Sequence, residues 1–202
     1  MNLLIVLANP NPRAFSRAIA ERLAKGLLDT GRHTSELADL AWEDFDPRML
    51  ERDLSAYRGE GQVHEAILFE QQRVDRADAL ALVFPVYWWS MPALLKGWID
   101  RVFTGGWAYD IDSTGKARGR LTDRPTHLLA ISAADLASYE RHDYRAAMAV
   151  QIERGIFHFC GLRSTQAHLL VEVEHANGRA RAAHLEAAYE LGRTMFPPAV
   201  AP

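Results

Sequence analysis

Six apolar residues in a row, Ala79-Leu80-Ala81-Leu82-Val83-Phe84, constrain this chain more than any other stretch. The run is too short for a membrane-spanning helix, which takes about 20 residues. It lacks the alternation of a strand with one wet face, so it reads as a strand buried on both faces, as in a parallel sheet covered by helices. Pro85, Val86, Tyr87, Trp88 and Trp89 then form a loop, and Ser90 and Pro92 mark a helix start. Loops at the carboxyl ends of parallel strands are where open α/β sheets bind ligands. Three aromatic rings in such a loop suit a flat, partly apolar ligand that also takes backbone N–H donors. Packing against a helix or a second subunit accounts for Trp88 and Trp89 equally well.

The same alternation runs along the whole chain. Leu3 to Leu7 predicts a central strand, and Ile19, Leu23, Leu27 and Leu28 a helix ending near Gly31. Thr34 to Leu40 is a second strand. Residues 47–62 read as a long excursion and Val63–Ala77 as a surface helix. After the third strand and its helix, the polar, glycine-bearing 105–123 segment reads as a flexible flap. Thr126–Ile131 is a fourth strand, 132–143 a loop, Arg145–His158 a helix stopped by Gly161, and Ser164–Val173 a fifth strand. Ala180–Met195 closes the chain as a helix, with Pro197-Pro198 ending regular structure. Strands alternating with helices five times over predict an α/β fold, a five-stranded parallel sheet with helices on both faces, in one domain covering 1–202.

Composition narrows the function. A formal net charge of −3 argues against a nucleic-acid surface. The single cysteine, Cys160, cannot form an internal disulfide, which points to a reducing compartment. No basic leader precedes the short apolar amino terminus and no segment reaches membrane-span length, so the expectation is a cytoplasmic protein.

Three loops should meet at the carboxyl edge of the sheet, those after the first, third and fourth strands. The first has no G-x-G-x-x-G, and Asn9 and Asn11 cannot bind a metal as paired carboxylates do. It offers instead the helix amino terminus at Phe15-Ser16-Arg17, where exposed N–H groups suit a phosphate and Arg13 or Arg17 could assist. An ordinary Ser16 cap is the plain alternative. Lys96 and Asp100 are spaced as a solvent-facing ion pair, and Arg101 is open to either a pairing or a chemical role. Gly97 permits close packing on its helix.

From Phe84 to Tyr109 the chain reads F-P-x-x-W-x-x-x-P-A-x-L-K-G-W-x-D-R-V-F-x-x-G-x-A-Y. This resembles the flavin loop and following helix of the NAD(P)H:quinone oxidoreductase family, flavodoxin-like flavoproteins that include the modulator-of-drug-activity proteins and the ancillary subunits of bacterial potassium-efflux systems. His158-Phe159-Cys160-Gly161 matches the family's H-F-C-G, and Asp39-Leu40 with Phe45-Asp46-Pro47 its D-L and F-D-P. The resemblance implies a flavodoxin-like sheet in order 2-1-3-4-5. It implies flavin phosphates at Asn9, Pro10, Phe15, Ser16 and Arg17, with Asn9 in place of the family's usual His. The ring would lie against Pro85, Val86, Tyr87, Trp88 and Trp89, where the N–H groups of 86–89 would meet its polar edge.

The loop Ser132-Ala133-Ala134-Asp135 departs from the family's T-T-G-G. Its N–H groups would stabilise charge at flavin N1 and C2=O, with Tyr139 and His142 as catalytic partners and His142 able to protonate the reduced quinone. A surface loop is the competing reading for His142. The implied activity is two-electron, ping-pong hydride transfer from NAD(P)H to quinones or related electrophiles. FAD is the first expectation for the cofactor and FMN the alternative. A regulatory potassium-efflux subunit, an FMN-dependent nitro- or azo-reductase and a one-electron flavodoxin are the rivals. The family also implies a homodimer, with Trp88, Trp107 and Tyr109 as candidate interface residues.

Overall fold

A computed structural model describes residues 1–174 and 178–196. Its elements are β1 (Asn2–Leu7), α1 (Phe15–Leu28), β2 (Thr34–Asp39), α2 (Glu51–Tyr57), α3 (Glu65–Arg76), β3 (Ala79–Pro85) and α4 (Ala93–Val102). There follow β4 (Tyr109–Ile111), β5 (Ala117–Gly119), β6 (Thr126–Ile131), α5 (Leu136–Arg141) and α6 (Tyr144–Met148). A π-helix over Ala149–His158, β7 (Thr165–Leu170) and α7 (Arg179–Thr194) complete them. The expected stop at Pro197-Pro198 lies outside the described residues.

The continuous apolar runs do what their pattern requires. In β1, Leu3, Ile5 and Leu7 enter one core while Leu4 and Val6 enter the other. In β3, Leu80, Leu82 and Phe84 face one side, and the smaller Ala79 and Ala81 join Val83 on the other. Burial on both faces demands helices on both, and α1 and α7 cover one side while α3, α4 and the π-helix cover the opposite one. Gly26 and Gly192 let α1 and α7 close together: a Cβ at Gly192 would lie 2.1 Å from the Leu23 carbonyl oxygen.

The sheet is parallel throughout, in the order β2-β1-β3-β6-β7. The expected 2-1-3-4-5 agrees only in part as numbered, because β4 and β5 pair antiparallel as a separate hairpin. That hairpin corrects the expected flexible flap over 105–123. Asp112 accepts from the N–H groups of Thr114 and Lys116 to form its turn. Gly119 presses its backbone onto Phe159–Gly161, where a Cβ would sit 2.4 Å from Cys160 carbonyl carbon. Leu121 N–H donates to Cys160 oxygen. The segment is a hairpin packed against Phe159–Gly161.

Two other expectations change. The π-helix replaces most of the expected α-helix over 145–158. On α3, Arg73, Glu70 and Gln71 are buried although their charge marked a surface helix. Arg73 holds Glu36, Glu43 and Glu70 at 2.6–3.0 Å, and Trp98 Nε1 donates to Glu70 at 2.8 Å. A buried charge survives when paired in this way. Arg101 likewise resolves as a structural residue: it donates to Asp53 at 2.9 and 3.2 Å and to the Asp46 carbonyl at 2.6 Å. This pair ties the 47–62 excursion to α4. Gly97 meets Pro47, whose carbonyl oxygen would lie 2.1 Å from a Cβ there. Lys96 and Asp100 form the expected exposed ion pair at 2.6 Å.

Candidate active site

Because β1, β3 and β6 are neighbours, their following loops lie side by side at the carboxyl edge. Backbone bonds lace that edge: Ala8 N–H to Val83, Val86 N–H to Ile131, and Ser132 N–H to Leu170.

After β1, Asn9 accepts from Asn11 N–H and Asn11 from Arg13 N–H, both at 3.0 Å, which turns the loop into α1. The helix is capped at Ala14 with no side-chain bond, so its first N–H groups have no intrahelical acceptor. Ser16 is therefore not the cap. It stands one residue inside the helix, 2 % exposed, and its hydroxyl has no hydrogen-bond partner among the described residues. Leaving a buried hydroxyl unpaired costs about 1–3 kcal/mol, so the position favours an acceptor-rich group at this helix start. Arg17 is committed to Asp39 and approaches Glu21 at 3.9 Å. Arg13 is exposed and has no ion-pair partner among the described residues. Phe15 is half-buried under the Arg181 guanidinium, and Pro10 is exposed.

After β3, Tyr87 and Ser90 exchange backbone bonds at 3.1 and 3.0 Å, closing a two-residue turn over Trp88 and Trp89. Both tryptophans take left-handed backbone angles, φ 49° and 58°. That conformation costs a non-glycine residue about 1–2 kcal/mol, and strain of this kind persists only where the surroundings over-determine it. Of the four N–H groups expected to serve a ligand, those of Val86 and Tyr87 are spent on Ile131 and Ser90. Those of Trp88 and Trp89 make no hydrogen bond among the described residues. Trp88 projects outward, 93 % exposed. Trp89 is half-buried: Tyr139 meets it edge-on at 5.1 Å and Tyr144 stacks on it at 3.9 Å.

After β6, Asp135 caps α5 through Ser138 N–H, and Ala134 N–H bonds to Ser132 Oγ. Ser132 N–H is also engaged, and Ala133 N–H makes no hydrogen bond among the described residues. Tyr139 is fully buried on α5, and its hydroxyl is the second orphan of the site. Burial raises its pKa, and the Ser132 side chain facing it partly offsets the rise without completing a hydrogen bond. His142, at the carboxyl end of α5, is exposed, its ring 5.3 Å from Tyr144.

The structure thus gathers Trp89, Tyr139, Tyr144 and His142 into one aromatic cluster, and Ser132 lies against it. Sequence reasoning missed Tyr144 and Gln151, the latter bonded to Ser90 Oγ at 2.9 Å. Neither belongs to a motif, and both come from the segment that turned out π-helical or adjoining it. The interface expectation for Trp107 weakens, because its Nε1 donates to Asp75 and its ring packs on Phe103 within the chain. Tyr109 lines a cavity of about 660 Å³, which opens between α2, α3, α4 and the hairpin and has none of the turn residues in its lining.

The residues fit a flavin. Two orphaned hydroxyls, an open helix start and unspent N–H groups beside aromatic rings are what a phosphate tail and a flat, carbonyl-bearing ring need.

Known proteins give the same picture. A family model described as flavodoxin-like fold matches residues 1–191. An uncharacterized NAD(P)H oxidoreductase of Haemophilus influenzae is 29% identical over 93% of this chain and 92% of its own length. Ribosyldihydronicotinamide dehydrogenase [quinone] of Pongo abelii is 31% identical, covering 80% of this chain and 77% of its own. The solved NAD(P)H:quinone oxidoreductase of Methanothermobacter marburgensis aligns with TM-score 0.88 and 26% identity, over 97% of this chain and 99% of that one. Agreement over nearly the whole length, in sequence and in sheet alike, means that the chain belongs to the NAD(P)H:quinone oxidoreductase family of flavodoxin-like proteins.

Proposed function

We propose that this protein is a flavin-dependent NAD(P)H oxidoreductase reducing quinones or related electrophiles by two-electron, ping-pong transfer. The observation that carries the reading is a pair of buried hydroxyls without a hydrogen-bond partner among the described residues, Ser16 Oγ in the first turn of α1 and Tyr139 Oη on α5, the helices that follow the two loops flanking the left-handed Trp88–Trp89 turn. A flavin held here would supply the redox chemistry, hydride acceptance from NAD(P)H and two-electron reduction of a quinone.

The chain's own groups do the rest. Ser16 Oγ and the first N–H groups of α1 would hold the phosphates, with Asn9, Pro10 and Phe15 shaping the loop. Arg13 supplies spare positive charge, since Arg17 is held by Asp39. Trp88 and Trp89 N–H would bond the polar edge of the ring, on the base formed by Pro85, Val86 and Tyr87. Ala133 N–H and the Tyr139 hydroxyl would stabilise negative charge on that edge, in a loop shaped by Ser132, Ala134 and Asp135. His142, exposed beside this cluster, would deliver the proton to the reduced acceptor.

FAD is the proposed flavin, on the strength of the 47–62 segment, with NAD(P)H as co-substrate. We read the chain as one flavin-binding domain working in the cytoplasm as a homodimer. No helix among the described residues is long and apolar enough to cross a membrane.

The test is NAD(P)H oxidation by the purified protein with a quinone as acceptor. Parallel-line kinetics, the mark of a ping-pong cycle, are expected; absence of turnover with every quinone tried would refute the proposal. In the same assay His142→Ala should alter the pH profile, and full turnover at every pH would remove His142 from the mechanism.

A further inference from the structure

The Trp88–Trp89 turn is strained, yet its sequence contains no glycine to relieve it, so something outside must hold it. Two contacts from a distant part of the chain do so. Tyr144, at the start of α6, lies flat on the Trp89 indole, with centroids 3.9 Å apart and planes 12° from parallel. Gln151, on the π-helix, accepts the Ser90 hydroxyl at 2.9 Å and so pins the closing residue of the turn. Tyr139 completes the hold from the ring's edge, at 87°. The residue before Tyr144, Asp143, is itself left-handed at φ 56°, which aims the tyrosine at the turn.

We infer that Tyr144 and Gln151 are positioning residues: they fix the turn in the conformation that leaves the Trp88 and Trp89 N–H groups unspent for a ligand. The inference rests on the flavin reading above. Neither side chain is placed at the reacting atoms. Their effect is to lower the ordering cost of binding, because a turn already held in its bound shape loses little freedom when a ligand arrives. The π-helix contributes through its register, which carries Gln151 to Ser90 across 61 residues of sequence.

The experiment is a titration of flavin-free protein with FMN and with FAD, followed by quenching of flavin fluorescence. Tyr144→Ala should raise the dissociation constant about three- to tenfold, in line with loss of one stacked aromatic pair. Tyr144→Phe should restore parental affinity, because the ring does the stacking. Gln151→Ala should weaken binding in the same direction. At saturating flavin, kcat of Gln151→Ala should return to within about twofold of the parent while the half-saturating flavin concentration stays raised. A general structural defect would keep kcat low even at saturating flavin.

Unchanged affinity in Tyr144→Ala and Gln151→Ala would overturn the inference. So would tighter binding, which would make Tyr144 an obstruction rather than a support. If Tyr144→Ala does not fold, Gln151→Ala decides alone by the same criterion. A parent protein that binds no flavin would instead sink the functional reading itself, so the two failures are distinguishable.

Discussion

Ser16 shows how much a single residue can say. A serine at a helix start is ordinarily a cap, and a cap uses its hydroxyl. This one is buried and uses nothing. Ser16→Ala should therefore leave thermal stability unchanged or slightly higher, since an unpaired buried hydroxyl is removed. Flavin affinity should fall about ten- to 150-fold, the worth of one hydrogen bond to a charged group. A melting curve and a flavin titration on one preparation check both halves, and a loss of stability without loss of affinity would reassign Ser16 to plain packing. Position was legible here, because Pro10 and Ser16 keep part of the family's phosphate-loop pattern, although Asn9 replaces its His. The commitment of Arg17 to Asp39 was not, because Asp39 is 22 residues away at the end of β2.

At the scale of elements, the sheet was readable because a strand buried on both faces needs an unbroken apolar run, and β1, β3 and β6 each have one. The π-helix was not: Met148, Ile152 and Ile156 recur every four residues, a spacing that suits an α-helix and an i→i+5 ladder alike. Nor was the interior of α3, where Arg73 looked solvated but is buried with Glu70 and reaches Glu36 and Glu43 at its rim. The hairpin escaped because three-residue strands are too short to show alternation.

The strand pair β6–β7 carries a pH effect of its own. His127 is buried against His168, with ring nitrogens 3.0 Å apart. Burial, and to a lesser degree the charge of His168, bring the His127 pKa down from 6.5 to about 4. The folded state thus favours the neutral ring, and the unfolded chain binds the extra proton between those values. Stability is full above pH 6.5 and falls as the medium acidifies toward pH 4, with a loss of about 2 kcal/mol by pH 5. His127→Leu should flatten that limb in urea titrations run between pH 7 and 5. An unchanged slope would show that the pair is not its source.

For the whole molecule, the exposed Trp88 ring and the wide cleft beside the hairpin leave apolar surface that a second copy would cover. Sedimentation of the purified protein should give twice the chain mass, and a monomer with full activity would contradict the proposed homodimer. Everything else depends on one ligand lying at the carboxyl edge of the sheet, between the first helix and the tryptophan turn. The most direct measurement is the visible spectrum of freshly purified protein, followed by acid release and chromatography of whatever absorbs. The account predicts flavin bands at one per chain and FAD in the released fraction, with added flavin taken up if any was lost. A colourless protein that refuses both FAD and FMN would contradict it.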